Sequence, residues 1–310
     1  MLLRYAAALV ALAAAPALAQ TVPPPPPVAA LLPAPLWRTQ GRFGLNANAA
    51  ALSDNWKGGG VNTVGGQVLA NVKASRKSGP HSFDNEADFL LAGAYTNGLG
   101  YRKGQDRLYL DTKYGHALNP KWDTFASLTL LTQWAPGYKY SKNSVGDEQA
   151  VFVSSFFAPA FVTMAYGFEY HPNAAFKVRL SPFSPRLTVV TMAERFATGL
   201  GERPYGVSPG HSVRWEVLAA QVLAEYDKNL STNVNLKARY VLFANYETLE
   251  AKKIDHRLDV ALTAKAAKYL NVALTGIALY DYDQDKSIQY SQGLTLGLAY
   301  SFQNFVDEKK

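Results

Sequence analysis

Val234 to Tyr246 reads VNLKARYVLFANY. Val234, Leu236, Ala238, Tyr240, Leu242, Ala244 and Tyr246 fall on one face of an extended chain, and Asn235, Lys237, Arg239 and Asn245 on the other, because successive side chains of a strand point to opposite sides. The same alternation runs through RLYLDTKY at 107–114, where Leu108, Leu110, Thr112 and Tyr114 oppose Arg107, Tyr109, Asp111 and Lys113. It returns at 257–265, where Leu258, Val260 and Leu262 alternate with Arg257, Asp259, Thr263 and Lys265. A soluble sandwich would also alternate, so three further features decide the class.

Length is the first. The runs last about 10 to 14 residues against roughly 5 to 6 for an ordinary strand, and a tilted strand needs about 9 to 11 residues to cross a bilayer. Rhythm is the second. Short connections at 77–80, 119–121, 171–174, 229–232 and 268–270 alternate with longer ones around 54–60, 97–105, 136–152, 194–211, 247–253 and 281–287. Outer-membrane barrels alternate tight periplasmic turns and longer outside loops in this way. Aromatic placement is the third: Trp37, Trp56, Trp122, Trp134, Tyr95, Tyr170, Tyr246, Tyr280 and Tyr282 sit near segment ends, where amphipathic rings meet the headgroup level. The expected fold is therefore all-β, a single closed antiparallel transmembrane β-barrel of about 12 strands. The seventh segment, 175–191, carries Pro182 and Pro185, and proline removes a ladder donor, so a bulge or break is expected there. Counted as one strand it keeps the N- and C-termini together on the periplasmic side; counted as two it separates them.

The ends fit an exported protein. Residues 1–19, MLLRYAAALVALAAAPALA, carry Arg4, an apolar stretch and an Ala17-Leu18-Ala19 cleavage site, the pattern of a signal peptide. Residues 20–36 include five consecutive prolines and are expected to be a stiff proline-rich periplasmic tail. The barrel is expected over 37–302 and a short C-terminal tail over 303–310. The last segment ends QGLTLGLAYSF, and Thr295, Gly297, Tyr300 and Phe302 resemble the C-terminal targeting signal by which the barrel-assembly machinery takes up bacterial outer-membrane proteins; the tail after Phe302 departs from its usual form.

Composition narrows the chemistry. The 310 residues contain no cysteine, which excludes disulfides, thiolate metal sites and cysteine nucleophiles. The excess of 31 Lys+Arg over 24 Asp+Glu is spread along the strands rather than clustered, so no nucleic-acid partner is expected. By charge alone, the basic loop residues Lys139, Lys142, Arg195, Arg203, Lys252 and Lys253 are expected to meet anionic surface lipid. His81, His116, His171, His211 and His256 show no spacing that suits a triad, although His211 or His256 near Asp281 or Asp283 would share one rim. DYDQD at 281–285 lacks the glycine and final glutamate of a calcium loop, and WKGGG at 56–60 lacks the ending of a phosphate loop. No enzyme activity, cofactor or metal is expected.

With the apolar faces toward lipid, parity lines the lumen with Lys73, Arg107, Lys113, Lys177, Arg179, Arg214, Lys237, Arg239, Arg257 and Lys265, and with Asp84, Glu86, Asp88, Asp111, Asp123, Glu169, Glu216 and Asp259. Ten cations against eight anions reads as a paired network filling a narrow lumen rather than a wide pore of one sign. The leading expectation is a narrow channel or small-solute transport barrel. The alternative is a non-conducting structural or partner-binding barrel acting through 136–152 and 194–211; an outer-membrane hydrolase comes a distant third.

Several motifs occur in combination: WKGGGVN at 56–62, YRKGQDRL at 101–108, KYGHAL at 113–118, QWAPGY at 133–138, FFAPAFVTMAYGFEYHPN at 156–173 and LSPFSPRLTVV at 180–190. With them the chain resembles the Bacteroidetes-type outer-membrane β-barrel family known as domain of unknown function 3078, over about Asn46 to Phe302. The resemblance implies a barrel in the outer membrane of a Gram-negative cell with no established activity and no assigned site residues.

Overall fold

The computed structural model describes residues 36–50, 53 and 62–305. The expected signal peptide, nearly all of the proline-rich tail, the WKGGG run and the last five residues lie outside the described residues. Among the described residues sixteen strands are formed, and twelve barrel staves are built from fourteen of them.

The first five are long: β1 (Arg38–Ala50), β2 (Thr63–Ser78), β3 (His81–Thr96), β4 (Gly100–Asn119) and β5 (Trp122–Thr132). A hairpin of β6 (Gly137–Lys142) and β7 (Glu148–Ser154) follows as a separate two-stranded sheet. The barrel resumes with β8 (Ala160–Asn173), β9 (Phe176–Phe183) and β10 (Arg186–Val189), then β11 (Val213–Glu216) and β12 (Ala219–Asn229). It ends with β13 (Val234–Asn245), β14 (Asp255–Lys265), β15 (Leu270–Asp281) and β16 (Asp285–Gln303). Every pairing among the barrel strands is antiparallel. The ring closes where β1 meets β16, with Leu45 opposite Leu298 and Asn46 opposite Gly297. A closed ring leaves no edge, so each strand's donors and acceptors are met by a neighbour.

The proline interruption does not add a stave. β9 pairs with the half of β8 near Tyr170, and β10 continues in line along the half near Thr163. Between them Ser184 N donates to Ala219 O at 2.7 Å and Pro185 O accepts from Met164 N at 3.0 Å, so the break stays hydrogen-bonded. The next stave is interrupted at the same level: β11 pairs with β10 and β12 with β9, with Val217 and Leu218 between. The count is twelve, and both ends of the barrel chain emerge at one end, beside the tight turns.

Those turns are built from local chemistry. Gly79 supplies a φ of +57° between β2 and β3. Asn119 Oδ1 accepts from the backbone N–H groups of Lys121 and Trp122, and Asn173 Oδ1 accepts likewise from Ala175 and Phe176. An asparagine side chain that bonds its own backbone two or three residues on is what makes it a turn former. The connection expected over 97–105 is shorter than its composition suggests. β4 starts at Gly100, and the extra residue is taken up as a bulge opposite Ala92 and Gly93.

The polarity is inverted relative to a soluble protein. Leu294, Leu296, Leu298 and Tyr300 stand 52–70% exposed on the outside of β16, while Asp111, Lys113, Glu169, Arg179, Glu225 and Arg239 are buried. Aromatic rings group near both ends of the outer wall. Trp37 packs edge-on to Phe83, and Trp122 lies against Tyr170 at the turn end; Trp134 packs on Phe89 and Phe156 toward the loop end. From Phe83 to Tyr95, both on the outer face of β3, the strand rises about 40 Å, or roughly 30 Å along a barrel axis tilted by 35–45°. That is about the thickness of a bilayer's hydrocarbon core. Among the described residues no helix is long and apolar enough to cross a membrane.

Candidate functional site

The charged interior is the candidate site, and its contacts establish which faces point inward. Arg107 on β4 reaches Asp259 on β14 at 2.7 Å, and Arg239 on β13 reaches Glu86 on β3 at 2.6 Å. Each of these strand pairs is six places apart round the ring in either direction, so the bonds span the barrel from wall to wall. They can form only through the lumen.

Around these two links the remaining charges form a belt. Arg107 also holds Asp88, and Asp259 also accepts from Arg257 at 2.7 Å. Glu86 is shared by Arg239, Lys237 at 3.2 Å and Lys73 at 3.9 Å. Arg239 also forks onto Glu225, which Lys177 approaches to 2.8 Å. Arg179 joins Asp111 at 2.9 Å to Glu169 at 3.0 Å, and Lys113 joins Glu169 at 2.6 Å to Asp84 at 3.3 Å. The guanidinium of Arg239 lies 4.4 Å over the ring of Tyr109, and that of Arg179 lies 5.6 Å from the ring of Phe125. Buried charges are tolerated when paired, and each member of the belt has an opposite charge within 4 Å.

Of the residues picked out by parity, Asp123 sits apart near the turn end against His171 at 3.2 Å. Arg214 and Glu216 pair with each other at 3.2 Å nearer the loops, and Arg214 also holds Asp283. Lys265 has no ion pair among the described residues. Other members escaped the alternation. Glu225, Arg186 and Asp227 face inward, and so does Asp255, which has the parity of Arg257 and Asp259 but was not among the residues picked out; Arg186–Asp255 at 2.7 Å shows this across three staves. At the breaks in β9–β10 and β11–β12 the inward phase changes: Lys177, Arg179 and Ser181 are followed by Arg186 and Thr188, and Arg214 and Glu216 by Gln221, Leu223 and Glu225. A parity carried across the break puts Glu225 on the wrong face. A second signal was present, since Leu223-x-Glu225-x-Asp227 would otherwise place two acids against lipid.

At the loop end, the segment after β10 folds onto the β6–β7 hairpin. Ala158, Val190, Phe196, Tyr205 and Val207 form a small apolar core, and Phe196 stacks on Phe152 at 4.8 Å. Tyr205 Oη donates to Val153 O at 2.6 Å, and burial, with the charge of Asp281, pushes its phenol above the ordinary value. Gly206, at φ +76°, lies against the Arg214–Asp283 pair, where a Cβ would collide with the guanidinium. Lys103 staples the hairpin to the rim by bonds to Asp106, Gln133, Ala135 O and Ser154. Lys252 and Lys253, expected to face lipid headgroups, converge on Glu250, whose carboxyl their hydrogen bonds hold down at about 2.

His81 and His116 meet at the turn end, their Nδ1 atoms 3.4 Å apart, with Tyr114 Oη 2.6 Å from His81, but the loop-side histidines do not assemble with the rim acids. His256 faces outward against Tyr240, bonded at 2.7 Å, whereas Asp281 is buried inside and accepts from Asp283 N and Gln284. His211 contacts the Pro209 carbonyl. Among the described residues no group of three His, Asp or Glu side chains is set to hold a metal.

Below the belt, toward the tight turns, lies a cavity of about 880 Å³. Gln40, Arg42, Asn71, Lys73, Asp227, Asn235, Lys237 and Lys265 are among its walls.

A model of a protein family of unknown function, DUF3078, matches residues 47–138, from the last third of β1 to the start of β6. The chain is similar to that family over this stretch, which is shorter than the Asn46–Phe302 span of the motif resemblance. Curated proteins give no match. Among solved structures, the COG4313 outer membrane channel of Pseudomonas putida F1 aligns at 10% identity and a TM-score of 0.38, covering 87% of this chain and 96% of that one. The NanC porin aligns at 6% identity and 0.37, covering 84% and 98%. The translocator domain of the autotransporter NalP from Neisseria meningitidis aligns at 9% and 0.36, covering 86% and 88%.

Proposed function

We propose that this chain is an outer-membrane β-barrel that passes small polar solutes along a constricted, charge-lined lumen. Export through the N-terminal signal and insertion through the last strand go with this reading, with both barrel ends and the tight turns in the periplasm. Thr295, Gly297, Tyr300 and Phe302 would then present the targeting signal. In the folded barrel they also close the seam: Asn46 donates to Thr295 at 3.0 Å, and Phe43 stacks on Phe302. The Bacteroidetes-type build implied by the motifs extends, in this proposal, to the whole barrel.

The observation that carries the reading is the belt. A barrel needs no interior charge to stand in a bilayer, yet this lumen concentrates buried ions in a belt bridged from wall to wall and keeps a cavity with charged walls beneath them. Rings of charged side chains are how pores select among ions and small solutes. The wall-to-wall links give a narrow resting passage. They also favour a second reading, a non-conducting barrel that works through the loop body of β6–β7 and 190–207. Planar-bilayer recording separates the two. Small, steady steps are expected; silent membranes into which folded protein has demonstrably inserted would overturn transport and leave the loops as the working surface.

A further inference from the structure

We infer that the cavity on the turn side of the belt is a binding site for a small oxyanion, a carboxylate or a phosphate. This deepens the reading above, on which its role as a stop for a travelling solute rests; binding itself does not require conduction.

Charge comes first. Seven basic and three acidic side chains line the cavity. Two of the acids, Asp88 and Asp259, are already held by Arg107 and Arg257. The third, Asp227, accepts from Asn235 and makes no ion pair among the described residues. Among the described residues Arg42 and Lys265 make no ion pair either, although Arg42 lies within the field of Asp227. The walls therefore carry cations in excess of the carboxylates that could neutralise them.

Geometry comes second. Lys73 and Lys237 stand on opposite walls, on β2 and β13, and approach the same oxygen of Glu86 at 3.9 and 3.2 Å. Their ammonium groups are thus no more than about 7 Å apart. Glu86 gives its other oxygen to Arg239 at 2.6 Å. One carboxylate thus serves three cations, and each lysine, a three-proton donor, is left with unused N–H groups. Both lysine side chains keep about 30% of their surface open, so a solute in the cavity can reach them. A carboxylate or phosphate bridging Lys73 and Lys237 would complete their coordination. Arg42 and Lys265 on the same walls would attract it, and the amide oxygens of Asn71 and Asn235, whose N–H groups are already given to neighbouring acceptors, would accept from any hydroxyl it carries. The opposite end of the lumen has the other sign: Glu216, Asp255, Asp281 and Asp283 outnumber Arg186 and Arg214. An anion is therefore favoured in the turn-side half and repelled from the loop-side half.

The test is calorimetric titration of the refolded, full-length chain in detergent at low salt, with inorganic phosphate in one arm and succinate in the other. Saturable binding of one or both is expected, weakened at least tenfold in K73Q/K237Q and less in R42Q, with gel mobility confirming that each variant is folded. The stronger arm identifies the oxyanion. No saturable binding of either at millimolar concentration by the folded barrel would overturn the site. So would binding that survives K73Q/K237Q. Binding without any conductance would keep the site and remove the transport reading; conductance without binding would do the reverse.

Discussion

Arg239→Ala is the most informative single change. Arg239 is 9% exposed, forks onto Glu225 at 2.9 and 2.7 Å, bonds Glu86 at 2.6 Å and covers the ring of Tyr109. Removing it leaves two buried carboxylates short of a donor, and breaking a buried pair typically costs about 3–5 kcal/mol. Lys177 stays with Glu225, and Lys73 and Lys237 stay with Glu86, which holds the effect toward the lower end. Arg239→Lys should recover only part of it, because a point charge cannot bond both carboxylates as the planar fork does. The assay is urea unfolding of protein refolded into lipid vesicles, followed by tryptophan fluorescence. Lys252→Ala, in an exposed pair with Glu250, is the control and should change stability little. A loss under about 1 kcal/mol for Arg239→Ala, the size of a surface pair, would refute the belt as a buried, mutually dependent network.

Other changes probe the wall. Leu296→Arg, on the outer face of β16, should cost about 2–4 kcal/mol if the site lies near the bilayer midplane, whereas Thr295→Arg, pointing inward, should be far milder; equal effects in vesicle refolding would reverse the inside and outside assignment. Gly167→Ala on β8 places a Cβ against the carbonyl of Leu180, a backbone group that must move, so a loss of about 1–3 kcal/mol is expected, and a neutral result would contradict the β8–β9 packing. Unheated protein should run faster on a gel than boiled protein, and identical mobility would count against a closed ring.

The sequence made the wall legible because a barrel strand needs only period-two alternation, and VNLKARYVLFANY or RLYLDTKY shows it without help from distant residues. The charged belt was legible for the same reason on every unbroken strand. It failed where the phase changed. Pro182 and Pro185 signal one break, but the matching break at Val217–Leu218 has no proline or glycine of its own and is imposed by the neighbouring stave, which is why Glu225 was hidden. Arg186 was lost to the phase change beyond its own prolines. The loop body was out of reach for another reason. Phe157, Met192 and Tyr205 take positive φ, which no side-chain type announces, and their conformations are fixed by contacts between segments some 40 residues apart.

The central claim is that ion pairs bridge the lumen from wall to wall and set its width. Single-channel conductance of the protein compared with R107Q/R239Q tests it most directly, since those two side chains make the two shortest of the three links between opposite staves, Lys237–Glu86 at 3.2 Å being the third. Small steps in the parent and a severalfold larger conductance in the folded double variant are predicted. Equal conductance in the two would mean that the belt does not define the passage.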